Sequence, residues 1–96
     1  MSEGKPETEI RQSEIFVRAL ANRYGFRARD FSLVWDDGEF EASRSVHRLN
    51  IVSADGRRSS AEIPHNALMR QDPWKYIREV DSAFMDLARR GEVRGI

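Results

Sequence analysis

Few residues of this chain have the types needed for acid–base or metal chemistry. There are two histidines, His47 and His65, and no cysteine. The missing thiols exclude a disulfide framework, a thiolate metal site and a cysteine nucleophile together. Neither histidine stands in an HxH, HExxH or other ligand spacing. His47 falls where the strand alternation breaks, and His65 follows Pro64 in an expected loop. Joined to Asp81, at the edge of the last apolar stripe, the pair could exchange protons or hold a metal. Two surface histidines and an Asp81–Arg78 pair are the simpler reading. No enzymatic role, catalytic residue, metal or cofactor is therefore expected. Phosphate cradles need a glycine-rich turn opening a helix, and the glycines here sit at a helix end or in hairpins. No Ser/His/Asp triad is legible from residue order.

The charges say more than the histidines. Sixteen basic and sixteen acidic side chains cancel, so the domain as a whole does not attract nucleic acid or an anionic membrane. Locally they do not cancel. Residues 11 to 29 hold five arginines against Glu14 alone, whereas residues 30 to 41 hold five acids and no base. Arginine outnumbers lysine fourteen to two, as codon usage in a GC-rich bacterial genome would give. Forked recognition of phosphate or carboxylate is the alternative. The candidate surface is Arg18, Arg23, Arg27 and Arg29, the acidic hairpin Asp36, Asp37 and Glu39, and the later Arg44, Arg48, Arg57 and Arg58. Opposed blocks of this kind pair across one surface, or between molecules as an isologous dimer or a heteromeric adaptor. The expected function is protein–protein interaction through a small accessory module, with RNA binding through the arginines as the alternative. No small-molecule ligand is evident. Ile15 lies on the polar side of the first helix, and Met69, Tyr76 and Met85, off or at the edge of the inner stripe, are further candidates for exposure, although scattered exposed apolar residues are normal.

These residues are positioned by elements whose periodicity is plain. Residues 1–8 read as a flexible arm ending at Thr8, a candidate N-cap. From Glu9 to Tyr24 the apolar residues Ile10, Phe16, Val17, Leu20 and Tyr24 share one side of a helical wheel, and Gly25 stands where a left-handed cap would end it. Alternation then takes over. Phe31, Leu33 and Trp35 precede an Asp36-Asp37-Gly38 turn, after which Phe40 and Ala42 resume the pattern. A second turn at Ala54-Asp55-Gly56-Arg57 separates Leu49 and Ile51 from Ala61 and Ile63, and Pro64 ends the last strand. Phe40, Ala42 and Val46 are even and Leu49 and Ile51 odd, so a bulge or break between Ser43 and Arg48 must absorb one residue. Asp72-Pro73 then starts a helix to about Arg90, with Trp74, Ile77, Val80, Phe84, Leu87 and Ala88 as its stripe, and 91–96 form a short tail.

The other sheet face, with Ser32, Glu39, Glu41, Arg48, Asn50, Ser60 and Glu62, is too polar to accept a layer. Both helices must then lie on one face. The expected fold is α+β, a two-layer α-β-β-β-α sandwich over a sheet of three or four antiparallel strands. This element order, from Glu9 to Arg90, resembles that of the double-stranded-RNA-binding domain. That family meets phosphates with a histidine-bearing first hairpin and a lysine cluster opening its last helix. Here those places hold Asp36-Asp37-Gly38-Glu39 and Asp72-Pro73-Trp74-Lys75, so the resemblance implies the fold and not the activity. Ninety-six residues support one core, residues 9–90 forming the domain. No basic region leads into an apolar run near Met1, and no segment nears the roughly 20 apolar residues of a membrane span, so a cytoplasmic location is expected.

Overall fold

The computed structural model describes residues 6–94, with side chains placed as far as Arg89. The order is helix α1 (Glu7–Ala21), strands β1 (Phe31–Trp35), β2 (Val46–Ser53) and β3 (Arg58–Pro64), a short helix α2 (His65–Met69) and helix α3 (Ile77–Arg94). The strands form one antiparallel meander, β1-β2-β3. Trp35 pairs with Leu49 and Phe31 with Ser53, while His47 pairs with Ile63 and Leu49 with Ala61. Odd positions of β2 therefore point inward along its whole length, and helices cover that face. The fold is α+β, as the alternation and the two stripes require.

α1 starts at Glu7, two residues before the expected Glu9 and inside the expected arm, with Pro6 as its cap. Glu7 and Glu9 stabilise this start, because the unpaired amides of a first turn carry partial positive charge. Residues 1–5 of the arm lie outside the described residues. At its far end α1 tightens into a 3-10 turn, Asn22–Tyr24, closed by Gly25 at φ 83°. That conformation is where glycine lacks the Cβ penalty other residues carry.

The parity conflict in the middle of the chain is resolved by a break. Residues 36–45 form a connection, not a second strand arm at Phe40 and Ala42, and β2 begins only at Val46. Glu39 and Glu41 accordingly sit in this loop and not on the open sheet face. Phe40 still reaches the interior, by folding over the sheet edge onto Trp35 and His47 with ring centroids 5.5 and 4.2 Å away. Burying that ring favours a looped path, since a continued strand would have turned every second residue the wrong way.

Two further differences follow from the start of the last helix. Pro73 opens a 3-10 turn, Pro73–Lys75, and Tyr76 leaves the helical path at φ −133°, so the α-helical phase begins at Ile77. A turn of three residues brings Tyr76 inward and Trp74 outward. Tyr76 is buried and shares a 3.1 Å hydrogen bond with Ser13 of α1, whereas Trp74, expected in the core, is 75% exposed. Met69, a candidate for exposure, packs partly buried against the core. α3 also runs through Gly91 to Arg94, past the expected stop at Arg90, and residues 95 and 96 lie outside the described residues. α2, placed in a loop by the sequence reading, is a single compact turn after Pro64.

The core joins Val17 and Leu20 of α1, Leu49, Ile51 and Ile63 of the sheet, and Val80, Phe84 and Leu87 of α3. Phe84 lies at its centre, 5.4 Å from the Phe31 ring and 5.8 Å from the Phe26 ring. Polar bonds pin the helices to this core. Trp35 Nε1–H donates to Glu14 at 2.8 Å, Tyr24 O–H donates to Asp81 at 2.7 Å, and the Arg57 guanidinium donates to the Leu87 carbonyl. The opposite sheet face pairs Arg48 with Glu62 and Asn50 with Ser60 and carries no layer among the described residues.

Candidate functional site

Asp36, the residue after β1, organises a buried polar cluster that joins distant parts of the chain. Its backbone adopts φ 50°, a left-handed conformation that Asp tolerates better than most residues. Its amide extends the β1–β2 ladder to the Arg48 carbonyl at 2.7 Å. Its side chain, fully buried, accepts from the Glu41 amide at 2.9 Å, from the Arg48 amide at 3.1 Å and from His47 Nδ1 at 3.1 Å. Burial pushes its carboxyl pKa up, but the donated bonds from Glu41, His47 and Arg48 together outweigh burial and hold it below the ordinary carboxylate value.

His47 is fully buried on β2, with its ring stacked under Phe40 and edge-on to Trp35. Its Nε2 lies 2.8 Å from Nδ1 of His65, the first residue of α2. The chain Asp36–His47–His65 thus links the 36–45 loop, the middle strand and the β3–α2 corner. Among the described residues, no buried side-chain nitrogen or oxygen lacks a partner. His65 Nε2 makes no hydrogen bond to a described residue, so it faces solvent.

Proton placement follows from the bonds. An ionised Asp36 requires a proton on His47 Nδ1, so in the neutral pair His47 Nε2 is an acceptor and His65 Nδ1–H donates to it. The two facing nitrogens point at each other and not at a common third point, which suits a shared proton better than a shared metal. Among the described residues no group of three or more His, Cys, Asp or Glu is placed to hold a metal ion.

The acid that joins the histidines is therefore Asp36 and not Asp81, which is occupied by the Tyr24 hydroxyl and raises the pKa of that phenol. The sequence carried one usable signal for this. His47 has the parity of Leu49 and Ile51, and an inward histidine on a strand needs a polar partner from the adjacent turn.

The charged residues divide between the ends of β1. On the acidic side Asp36 is buried, so it is not part of an exposed acidic surface. Arg44 holds Asp37 at 2.9 Å and Glu41 at 2.8 Å, and these acids raise its own pKa, led by the bond to Glu41. Glu39 is exposed. On the other side Arg57 is tied to Asp55 at 2.9 Å and to α3, and its bond to Asp55, with that from the Ser53 hydroxyl, holds the Asp55 carboxyl far below its usual range. Arg18 lies 3.9 Å from Glu14. Arg48 and Arg58 are exposed on the open sheet face. Arg23, Arg27 and Arg29 are exposed in the bend between α1 and β1, without an ion pair to a described residue. Five strand residues, at roughly 3.3 Å each, separate this bend from the acidic loop, so the two blocks do not neutralise one another within the molecule.

Among the described residues the large exposed apolar side chains are Ile15, Val46, Met85 and Trp74, the last far ahead in area. Trp74 is held on a turn closed by Lys75 N–H to Asp72 C=O at 3.2 Å and Tyr76 N–H to Pro73 C=O at 3.0 Å. Beside that turn lies a groove of about 330 Å³ bordered by Pro64, Ala67, Arg70, Asp72 and Lys75. No helix among the described residues is long and apolar enough to cross a membrane. No protein-family model, curated protein or solved structure matches the chain.

Proposed function

We propose that this protein is a small, non-catalytic module that docks onto another protein through the turn bearing Trp74. The observation that carries the reading is the 75% exposure of an indole fixed on a hydrogen-bonded proline turn. An exposed tryptophan costs hydration free energy, and tryptophan is the residue type most enriched among interface residues that dominate binding. Its turn is already ordered, so little conformational entropy remains to be lost on docking. The groove next to it offers apolar walls from Pro64 and Ala67 and two cations, Arg70 and Lys75, against Asp72. A partner segment combining an apolar side chain with a carboxylate fits that lining. The cytoplasmic and bacterial setting expected from the sequence belongs to the same proposal.

Trp74→Ala tests it. The substitution should leave stability within about 0.5 kcal/mol, as surface changes do. It should abolish whatever association the parent protein shows, measured by sedimentation over a concentration series and by capture on the immobilised chain. A parent protein that stays monomeric, and that retains the same proteins as Trp74→Ala, refutes the reading.

A second reading rests on Arg23, Arg27 and Arg29, three exposed guanidinium groups without an ion pair to a described residue. They would meet RNA phosphates, and log K would fall with log salt by about 0.7 per phosphate neutralised on a single strand. No mobility shift at low ionic strength removes this reading.

A further inference from the structure

The geometry points to a proton-operated latch, in which Asp36, His47 and His65 hold the 36–45 loop to the β3–α2 corner while one proton is shared and release it when both imidazoles are charged. The inference is independent of the docking role of Trp74. It begins from the four ring nitrogens. His47 Nδ1 keeps its proton because Asp36 accepts from it at 3.1 Å. In the neutral pair the second proton sits on His65 Nδ1, between two nitrogens 2.8 Å apart.

Acidification then has a defined order. A proton from water reaches His65 at Nε2, the nitrogen open to solvent. The proton on His65 Nδ1 passes to His47 Nε2, which now donates back across the same contact. The result is a His47 imidazolium against the Asp36 carboxylate and a neutral His65, with the bond intact. A second proton finds only His65 Nδ1 vacant, and that nitrogen is the acceptor of the bond. Taking it leaves two N–H groups and two positive charges face to face, so the contact must open.

His65 is half-buried at the rim, whereas His47 is fully enclosed, so His65 is the ring that leaves. The charged His47 Nε2–H then has no partner inside the protein. A buried charged donor without an acceptor is strongly unfavourable, and water must enter beneath Phe40 to reach it. Phe40 is the only ring of the 36–45 loop and its apolar anchor on the sheet, stacked on His47 at 4.2 Å, while backbone bonds from Asp36 N–H to the Arg48 carbonyl and from His65 N–H to the Ser45 carbonyl hold the loop's two ends. Lifting it frees the middle of the loop. The ionisable groups on the side of the pair are Asp36, Glu41 and Arg44 from the loop, with Glu14 of α1 behind Trp35, whereas Arg48 of β2 and Glu62 of β3 lie across the sheet on its open face. Arg44 lies 3.9 Å from Asp36 and opposes a second positive charge there, while Glu41, bound to Arg44 at 2.8 Å, offsets it.

Two measurements on the whole chain test the latch. At about pH 8, nitrogen-15 spectra should show both rings in the Nδ1–H tautomer, although the Nε2–H form is the commoner one for a free side chain. As the pH is lowered from about 8 to about 5, the Glu41 amide should lose about tenfold in hydrogen-exchange protection relative to Ile51 after correction for intrinsic rates. In His47→Leu, which has no Nε2–H to strand, that ratio should not change with pH. Either ring found as Nε2–H at the higher pH overturns the latch. So does a constant ratio in the parent protein, or the same loss in His47→Leu.

Discussion

Removing the Asp36 carboxylate should destabilise the fold more than removing any exposed charge. Asp36→Ala strands three donors, the Glu41 amide, the Arg48 amide and His47 Nδ1–H. The two amides border exposed positions, so water replaces their acceptor and each loses only a net bond, about 0.5 to 1.5 kcal/mol. The histidine nitrogen is enclosed and bears the full cost of an unmet buried donor, about 1 to 3 kcal/mol. Together these predict a loss of about 2 to 6 kcal/mol, and Arg44 adds little because its pair with Asp36 is long and half-exposed. Asp36→Asn keeps one acceptor oxygen and the side-chain shape, and should lose about half as much. Urea unfolding followed through buried Trp35, in a Trp74→Phe background, measures both. The difference between parent and Asp36→Asn must also depend on pH with a fixed sign. The folded carboxyl titrates below its unfolded value of about 3.9, so the extra stability is complete above that pH and disappears as pH falls through the lower folded value. An Asp36→Ala protein within about 0.5 kcal/mol of the parent, or a difference from Asp36→Asn that survives to the lowest pH, would refute the account of this cluster.

Phe84→Ala empties the centre of the ring cluster and should cost about 3 to 5 kcal/mol in urea unfolding. Arg18→Ala breaks only a 3.9 Å surface pair and should cost less than about 0.5 kcal/mol, so equal effects of the two would mean that the α3 stripe does not face the core. Tyr24→Phe deletes the hydroxyl bound to Asp81 at 2.7 Å, and a loss of about 0.5 to 1.5 kcal/mol is expected from thermal unfolding. Gly25→Ala meets no neighbour within 4 Å but must still adopt φ 83°, and a cost near 1 kcal/mol should appear as faster exchange at the end of α1.

What could be read before the structure follows the range of the interactions involved. The α1 and α3 stripes, the strand alternation at Phe31, Leu33 and Trp35, the second hairpin turn and the cap at Gly25 were all legible. Each is a pattern of a few residues that the backbone repeats locally. Trp74 was misplaced because one 3-10 turn, produced by Pro73, shifts the phase of every side chain before Ile77. The charge blocks were legible as composition, but not their outcome. Arg44 and Arg57 are occupied by Asp37, Glu41 and Asp55 on turns, while Arg23, Arg27 and Arg29 stand at the opposite end of β1 from the acids they were expected to complement.

By itself the amino-acid order determined that one apolar layer is shared by two long helices and one side of a small meander, because burial of periodic apolar side chains leaves few other solutions. Only the folded chain decided that His47 meets Asp36 and His65. That meeting depends on a parity break absorbed by the 36–45 loop, on the register that sets His47 opposite Ile63, and on the turn of α2 after Pro64. Such contacts are set by how distant segments close on one another, and no repeat along the chain encodes them.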